Sequence, residues 1–183
     1  MRLVTFITGN QDKADNLSRL LGVPLAHKNI ELDELQSLHM DDVIRHKAKE
    51  AYRALHDAVL VDDVTMWFDE LDGLPGPFIK FFVGAKNGAE NLCRMADGLP
   101  SRRATARAYF GLYDGKKMTI LHGEIRGEIA NHPQGDNGFA YGWDKVFCPD
   151  GYGGRTRAEL NQDEYDEVYR TIRPIKELCE LLS

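Results

Sequence analysis

The sequence predicts an α/β protein built on a mixed β-sheet, and three observations lead there. In the first half, short β-branched or apolar runs alternate with segments whose apolar residues recur at helical spacing. In the second half, two long strand-like runs flank Asp114-Gly115, a hairpin signal. The 183 residues are 43% hydrophobic and 28% charged, enough for an ordinary core in a single domain over 1–183.

Taken in order, Arg2–Thr8 (RLVTFIT) reads as a short buried strand, broken by Gly9. Asn10 is placed to cap a helix with Ala14, Leu17, Leu20 and Leu21 on one face, and Gly22 and Pro24 end it. The polar connection His27–Leu38 contains a second strand near Asn29–Leu32. A helix starting at Asp41 or Asp42 has Val43, Ala48, Ala51 and Leu55 on its apolar side. Ala58–Val61 is then a strand that delivers Asp62 and Asp63 at its end. The Gly73–Pro77 loop, an apolar segment Ile79–Val83 and a helix around Ala89–Ala96 follow.

Thr105–Tyr113 and Met118–Glu128 form the hairpin. A glycine-rich region, GDNGFAYGWDKVFCPDGYGG, leads to a C-terminal helical stretch marked by Val168, Tyr169, Ile172, Ile175, Leu178 and Leu182. Pro174 either kinks that helix or sits in the first turn of a new one.

The bulk properties exclude several classes. No apolar run approaches the roughly 20 residues that span a bilayer. The start, MRLVTFITGN, lacks a signal-peptide core and cleavage site, so a cytoplasmic protein with no membrane partner is expected. Cys93, Cys148 and Cys179 are widely spaced with no CxxC pair, which predicts free, mostly buried thiols. A net charge of −6 argues against a nucleic-acid surface while leaving room for a local basic pocket, with Lys13, Lys47 and Lys80 as candidates.

Four stretches can carry chemistry. In FITGNQDK a strand turns through glycine into a helix, which aims backbone N–H groups and a positive dipole end at an anion, with Lys13 one turn inside. It is not a Walker A loop, and by itself it is equally a structural turn. Asp62-Asp63 and Glu34 are oxygen ligands of the type Mg²⁺ prefers, although an aspartate pair after a strand is by itself more often a solvated turn. If the strand continues through the pair, the two side chains face opposite sides. LDGLPGPFIK is a stiff loop with Lys80 at its exit. In FAYGWDKVF, Tyr141 can stack on a base and Asp144 can accept from base N–H groups, whereas Trp143 reads better as core.

The order of these pieces is more specific than any one of them. TGNQDK, VDDVTMWFDELDGLPGPFIKFF, HGEIRGEI and GWDKVFCPDGYGGRTRAEL together resemble the inosine triphosphate pyrophosphatase (Ham1) family over residue 2 to about residue 160. The resemblance implies an elongated mixed sheet with flanking helices, two lobes around a central cleft, and a homodimer. It also implies Mg²⁺-dependent hydrolysis (Mn²⁺ as a substitute) of a nucleoside triphosphate such as ITP, dITP or XTP to monophosphate and pyrophosphate. Carried over residue by residue, Thr8, Gly9, Asn10 and Lys13 would cradle phosphates, and Glu34 and Asp63 would hold the metal. Asp63 would be the base, with Asp62 in support. Lys47 and Lys80 would neutralise the triphosphate. Tyr141, Gly142, Trp143 and Asp144 would line the base pocket.

Two departures stand out. Val64 replaces the family's Thr or Ser after the acidic pair. In the last helix Tyr165 stands at the family's lysine, and Tyr169-Arg170-Thr171 replaces its Ser-His-Arg. Arg170 or Arg173 is then the guanidinium available to the base pocket. The alternatives are a nucleotide-binding or sensing module with little catalysis, or a pyrophosphatase for a different, pathway-specific nucleotide.

Overall fold

The structure is a computed structural model, and it describes residues 4–183. The described elements are β1 (Thr5–Ile7), α1 (Gln11–Leu21), β2 (His27–Lys28), α2 (Met40–Leu55), β3 (Val59–Phe68), β4 (Pro75–Gly76), α3 (Ile79–Gly84), α4 (Gly88–Asp97), β5 (Arg103–Tyr113), β6 (Met118–Ile129), β7 (Phe147–Pro149), α5 (Gln162–Ile172) and α6 (Ile175–Leu182). They form one mixed sheet of order β2-β1-β3-β5-β6-β7, with β4 pairing on β3. β1 runs parallel to both β2 and β3, whereas β4 on β3 and β7 on β6 are antiparallel. The expected α/β class with a mixed sheet is therefore observed.

Two compact units share the chain. The first comprises the residues up to Asp63, Ala108–Gly123 and Arg173–Ser183, and the second comprises Val64–Arg107 and Glu124–Ile172. The first unit is built on a cluster of Ile7, Ile44, Ala48, Ala51, Val59, Val61 and Tyr109, which packs one face of α2 on the strands. Gly111 sets how closely they approach. A Cβ there would lie 2.5 Å from Ile44 Cγ2 and 3.0 Å from Val61 Cγ2. The second unit buries Leu92, Cys93 and Ala96 on α4 and Val146, Phe147 and Val168 further along the chain. Its Cys148 is also buried, and burial pushes that thiol up to about 11.

Several boundaries differ from the sequence reading. Arg2 and Leu3 of the expected first strand lie outside the described residues. The second strand is His27–Lys28 and not Asn29–Leu32, because Phe6 N–H donates to the Ala26 carbonyl and Thr8 N–H to that of Lys28. The strand expected over Ala58–Val61 runs on to Phe68, so the aspartate pair sits in mid-strand. Burial is complete again at Thr65 and Met66 beyond the pair, and Met66 and Trp67 pair with β4. Ile79–Gly84 is helical. β7 had no distinct sequence signal, because three residues are too few for a period. Pro174 occupies the N-cap of α6, so it opens a new helix and does not bend one helix.

Candidate active site

β1 ends at Ile7, and the chain enters α1 through Thr8, Gly9 and Asn10. Asn10 caps the helix as expected, its Oδ1 accepting from Lys13 N–H at 3.1 Å, while Thr8 Oγ1 accepts from Asn10 N–H at 3.1 Å. At Gly9 the backbone comes close to an exposed side chain, since a Cβ would lie 2.8 Å from Asn29 Oδ1. This turn fixes the start of α1 and so aims Lys13 from the first turn of the helix toward β3.

The mid-strand position of the aspartates separates them by face, as strand alternation requires. The Asp62 side chain is 5% exposed and that of Asp63 is 35% exposed. Asp62 is surrounded by cations. Lys13 Nζ lies 3.2 Å and Arg173 Nη2 3.7 Å from its Oδ2, and Lys47 Nζ donates to its backbone carbonyl at 2.8 Å. Burial by itself raises the Asp62 carboxyl, but the charges of Lys13, Arg173 and Lys47 outweigh burial and hold it below the ordinary carboxylate value. Lys47 also reaches Asp63 Oδ2 at 3.3 Å. It stands on α2 three residues after the fully buried Ile44 and beside buried Ala48, so packing of that helix positions the ammonium.

The first unit thus concentrates three cations and two carboxylates of very different exposure. Glu34 lies in the exposed connection between β2 and α2. Among the described residues no three His, Cys, Asp or Glu side chains gather as a metal cage. Asp63 and Glu34 are each hard oxygen donors, the ligand type that a divalent ion such as Mg²⁺ takes together with water and phosphate.

In the second unit, Val64 follows the pair on β3. Lys80 is an exposed residue in the first turn of α3, with Nζ 4.8 Å from the Phe81 ring centroid, and desolvation lowers its ammonium. Tyr141 is 40% exposed beside Gly142, whose φ of +61° is in the left-handed region. Trp143 is buried and meets Phe147 edge-on at 5.3 Å, as its core reading expected.

Asp144 is 1% exposed, and its carboxylate is already engaged. It accepts from Arg157 Nη1 at 2.6 Å, from Tyr165 Oη at 2.7 Å and from Tyr141 N–H at 3.1 Å, so it holds the 141–144 turn. Arg170 is exposed on α5, while Arg173 is 2% exposed and turned to Asp62 in the first unit. The guanidinium beside the 141–144 turn belongs to Arg157, which the sequence reading missed. The available signal was a single carboxylate, Asp144, inside an apolar aromatic run, which demands a buried cationic partner. Burial pushes the hydroxyl of Tyr165, the residue at the family's lysine position, well up, and the Asp144 charge adds to the rise.

The Ham1 family model matches residues 4–181. Inosine triphosphate pyrophosphatase 2 of Trypanosoma cruzi is 35% identical, covering 90% of this chain and 84% of that protein. The inosine triphosphate pyrophosphatase of Emericella nidulans is 32% identical over 100% of this chain and 97% of its own length. Among solved structures, a nucleoside-triphosphatase / dITP/XTP pyrophosphatase from Mycobacterium abscessus superposes with a TM-score of 0.77 at 26% identity, covering 96% of this chain and 97% of that one. A Ham1 protein from Coxiella burnetii shares the fold, with a TM-score of 0.82 at 23% identity over 100% and 98% of the two chains. The chain belongs to the Ham1 family.

Proposed function

We propose that this protein is a divalent-metal-dependent nucleoside triphosphate pyrophosphatase acting on a purine triphosphate such as ITP or XTP. The observation that carries the reading is the grouping of Lys13, Lys47 and Arg173 around Asp62 and Asp63, next to the capped N-terminus of α1. Membership of the Ham1 family and the named activities of the trypanosomal and mycobacterial relatives support it.

In this reading Asp63 and Glu34 hold Mg²⁺, or Mn²⁺ in its place. The ion supplies charge neutralisation on the phosphates and lowers the barrier to water attack. Thr8, Gly9 and Asn10 orient phosphate oxygens at the α1 N-terminus. Lys13 and Lys47 offset the triphosphate charge. The oxygen of a water molecule forms a bond to the α-phosphorus, the α–β bridging bond breaks, and pyrophosphate leaves with the bridging oxygen. Asp63, the more exposed carboxylate, takes the water's proton. Asp62 stays ionised and buried, and it fixes Lys13 and the backbone to which Lys47 is bonded. Tyr141 and Gly142 contact the base.

The same reading makes the chain a cytoplasmic homodimer that binds neither nucleic acid nor membrane. No helix among the described residues is long and apolar enough to cross a membrane. Sedimentation showing monomer alone at micromolar concentration would remove the dimer. For the activity, pyrophosphate release is measured across canonical and modified triphosphates with Mg²⁺. Turnover of at least one purine triphosphate is expected. Folded protein that turns over none overturns the reading, and a nucleotide bound yet never hydrolysed marks a sensing module instead.

A further inference from the structure

Arg157 is 2% exposed, one of the largest side chains so deeply buried, and it lies in the second unit. Nη1 is bonded to Asp144. Cζ lies 5.2 Å from the Trp143 ring centroid and 4.4 Å from that of Tyr165. Nε and Nη2 are buried and have no hydrogen-bond partner among the described residues. These two N–H groups share one edge of the guanidinium plane, the edge that takes two acceptors side by side. A buried charged group with two unmade bonds is costly, so this edge is suited to acceptors that arrive from outside the chain.

The surroundings narrow the class of ligand. Asp144 already balances the guanidinium charge. The neighbours are aromatic: Trp143, Tyr165, and Phe139 at 4.8 Å from the Tyr165 ring. Such a setting favours a planar heterocycle with two adjacent in-plane acceptors over a free anion. A 6-oxopurine presents O6 and N7 in that arrangement, and these are the atoms a guanidinium fork reads on guanine. A 6-aminopurine sets an amino donor beside N7, against one of the two N–H groups.

We infer that Arg157 is a specificity-determining residue of the base site, its Nε/Nη2 edge taking O6 and N7 of a 6-oxopurine. The inference rests on the nucleotide reading above. The edge is buried, so binding requires a shift nearby. Tyr141 and Gly142 lie outside helix and strand and are tied to Asp144 through the Tyr141 N–H.

Calorimetry on the full chain with nucleoside monophosphates tests this without turnover. Wild-type protein should bind inosine monophosphate roughly ten- to hundredfold tighter than AMP, and about tenfold tighter than the 7-deaza analogue that lacks the N7 acceptor. Arg157→Lys keeps a cation opposite Asp144 but loses the fork, and it should bring the three affinities together. Equal binding of inosine monophosphate and its 7-deaza analogue by the wild type overturns the inference, as does an unchanged preference in Arg157→Lys or no binding of any of the three. If Arg157→Lys fails to fold, the wild-type series decides alone. Pyrophosphate release from ITP is scored separately. Release without an N7 effect on binding sinks this inference and spares the enzyme, whereas an N7 effect without release does the reverse.

Discussion

Lys13 Nζ and Asp62 Oδ2 lie 3.2 Å apart although 49 residues separate them in sequence, and this ion pair joins the first turn of α1 to the middle of β3. A buried carboxylate held in this way contributes to stability and makes it depend on pH.

The folded-state value of Asp62 is depressed, so the stability it contributes is fully present above the unfolded value of about 4 and is lost as pH falls through the lower folded value. Acid titration of the unfolding free energy should fall away below about pH 4. Asp62→Asn leaves Lys13 and Arg173 facing an amide, and it should cost about 3–5 kcal/mol at neutral pH while flattening that acid limb. Denaturant unfolding at neutral pH and near pH 3 checks both effects. An unchanged acid limb in the variant would mean that other carboxylates dominate.

Asp63→Asn should behave differently. Asp63 is more exposed than Asp62, and Lys47 keeps a second acceptor in the Asp62 carbonyl. Pyrophosphate release should drop by about a hundredfold or more, the range of a lost general base, with the unfolding midpoint shifting little. A fully active variant would refute the assignment.

Chelation should abolish activity, and added Mg²⁺ or Mn²⁺ should restore it, without a large change in melting temperature. The reason is that no three metal-ligating side chains cluster among the described residues, while Asp62 is neutralised by the protein's own cations. Calorimetric melting with and without EDTA measures it. A drop of many degrees would point to a structural ion instead.

Gly111→Ala should destabilise by about 1–3 kcal/mol, the usual cost of overpacking, because the added methyl group meets Ile44 on α2 and Val61 on β3. Lys47 rides on α2, so KM for the triphosphate should rise along with the loss of stability. Chemical denaturation and initial rates on one preparation test the pair of effects. A change in stability alone would uncouple α2 packing from the site.

The sequence by itself determined the elements with a strong period or a distinct punctuation mark. The α1 cap at Asn10, the α2 apolar face, the hairpin at Asp114-Gly115 and the break at Pro174 depend on residues near one another in the chain. It also carried the order of motifs that marks the Ham1 family. The tertiary structure decided how the ionic groups pair. That Arg173 turns to Asp62, and that Asp144 is engaged by Arg157 and Tyr165, follow from contacts across 13 to more than 100 residues of sequence. Spacing constrains a side chain's neighbours one helical turn or one strand step away. It does not say which buried cation answers which buried carboxylate, because that choice is made by desolvation, and desolvation exists only once the chain has closed around the charge.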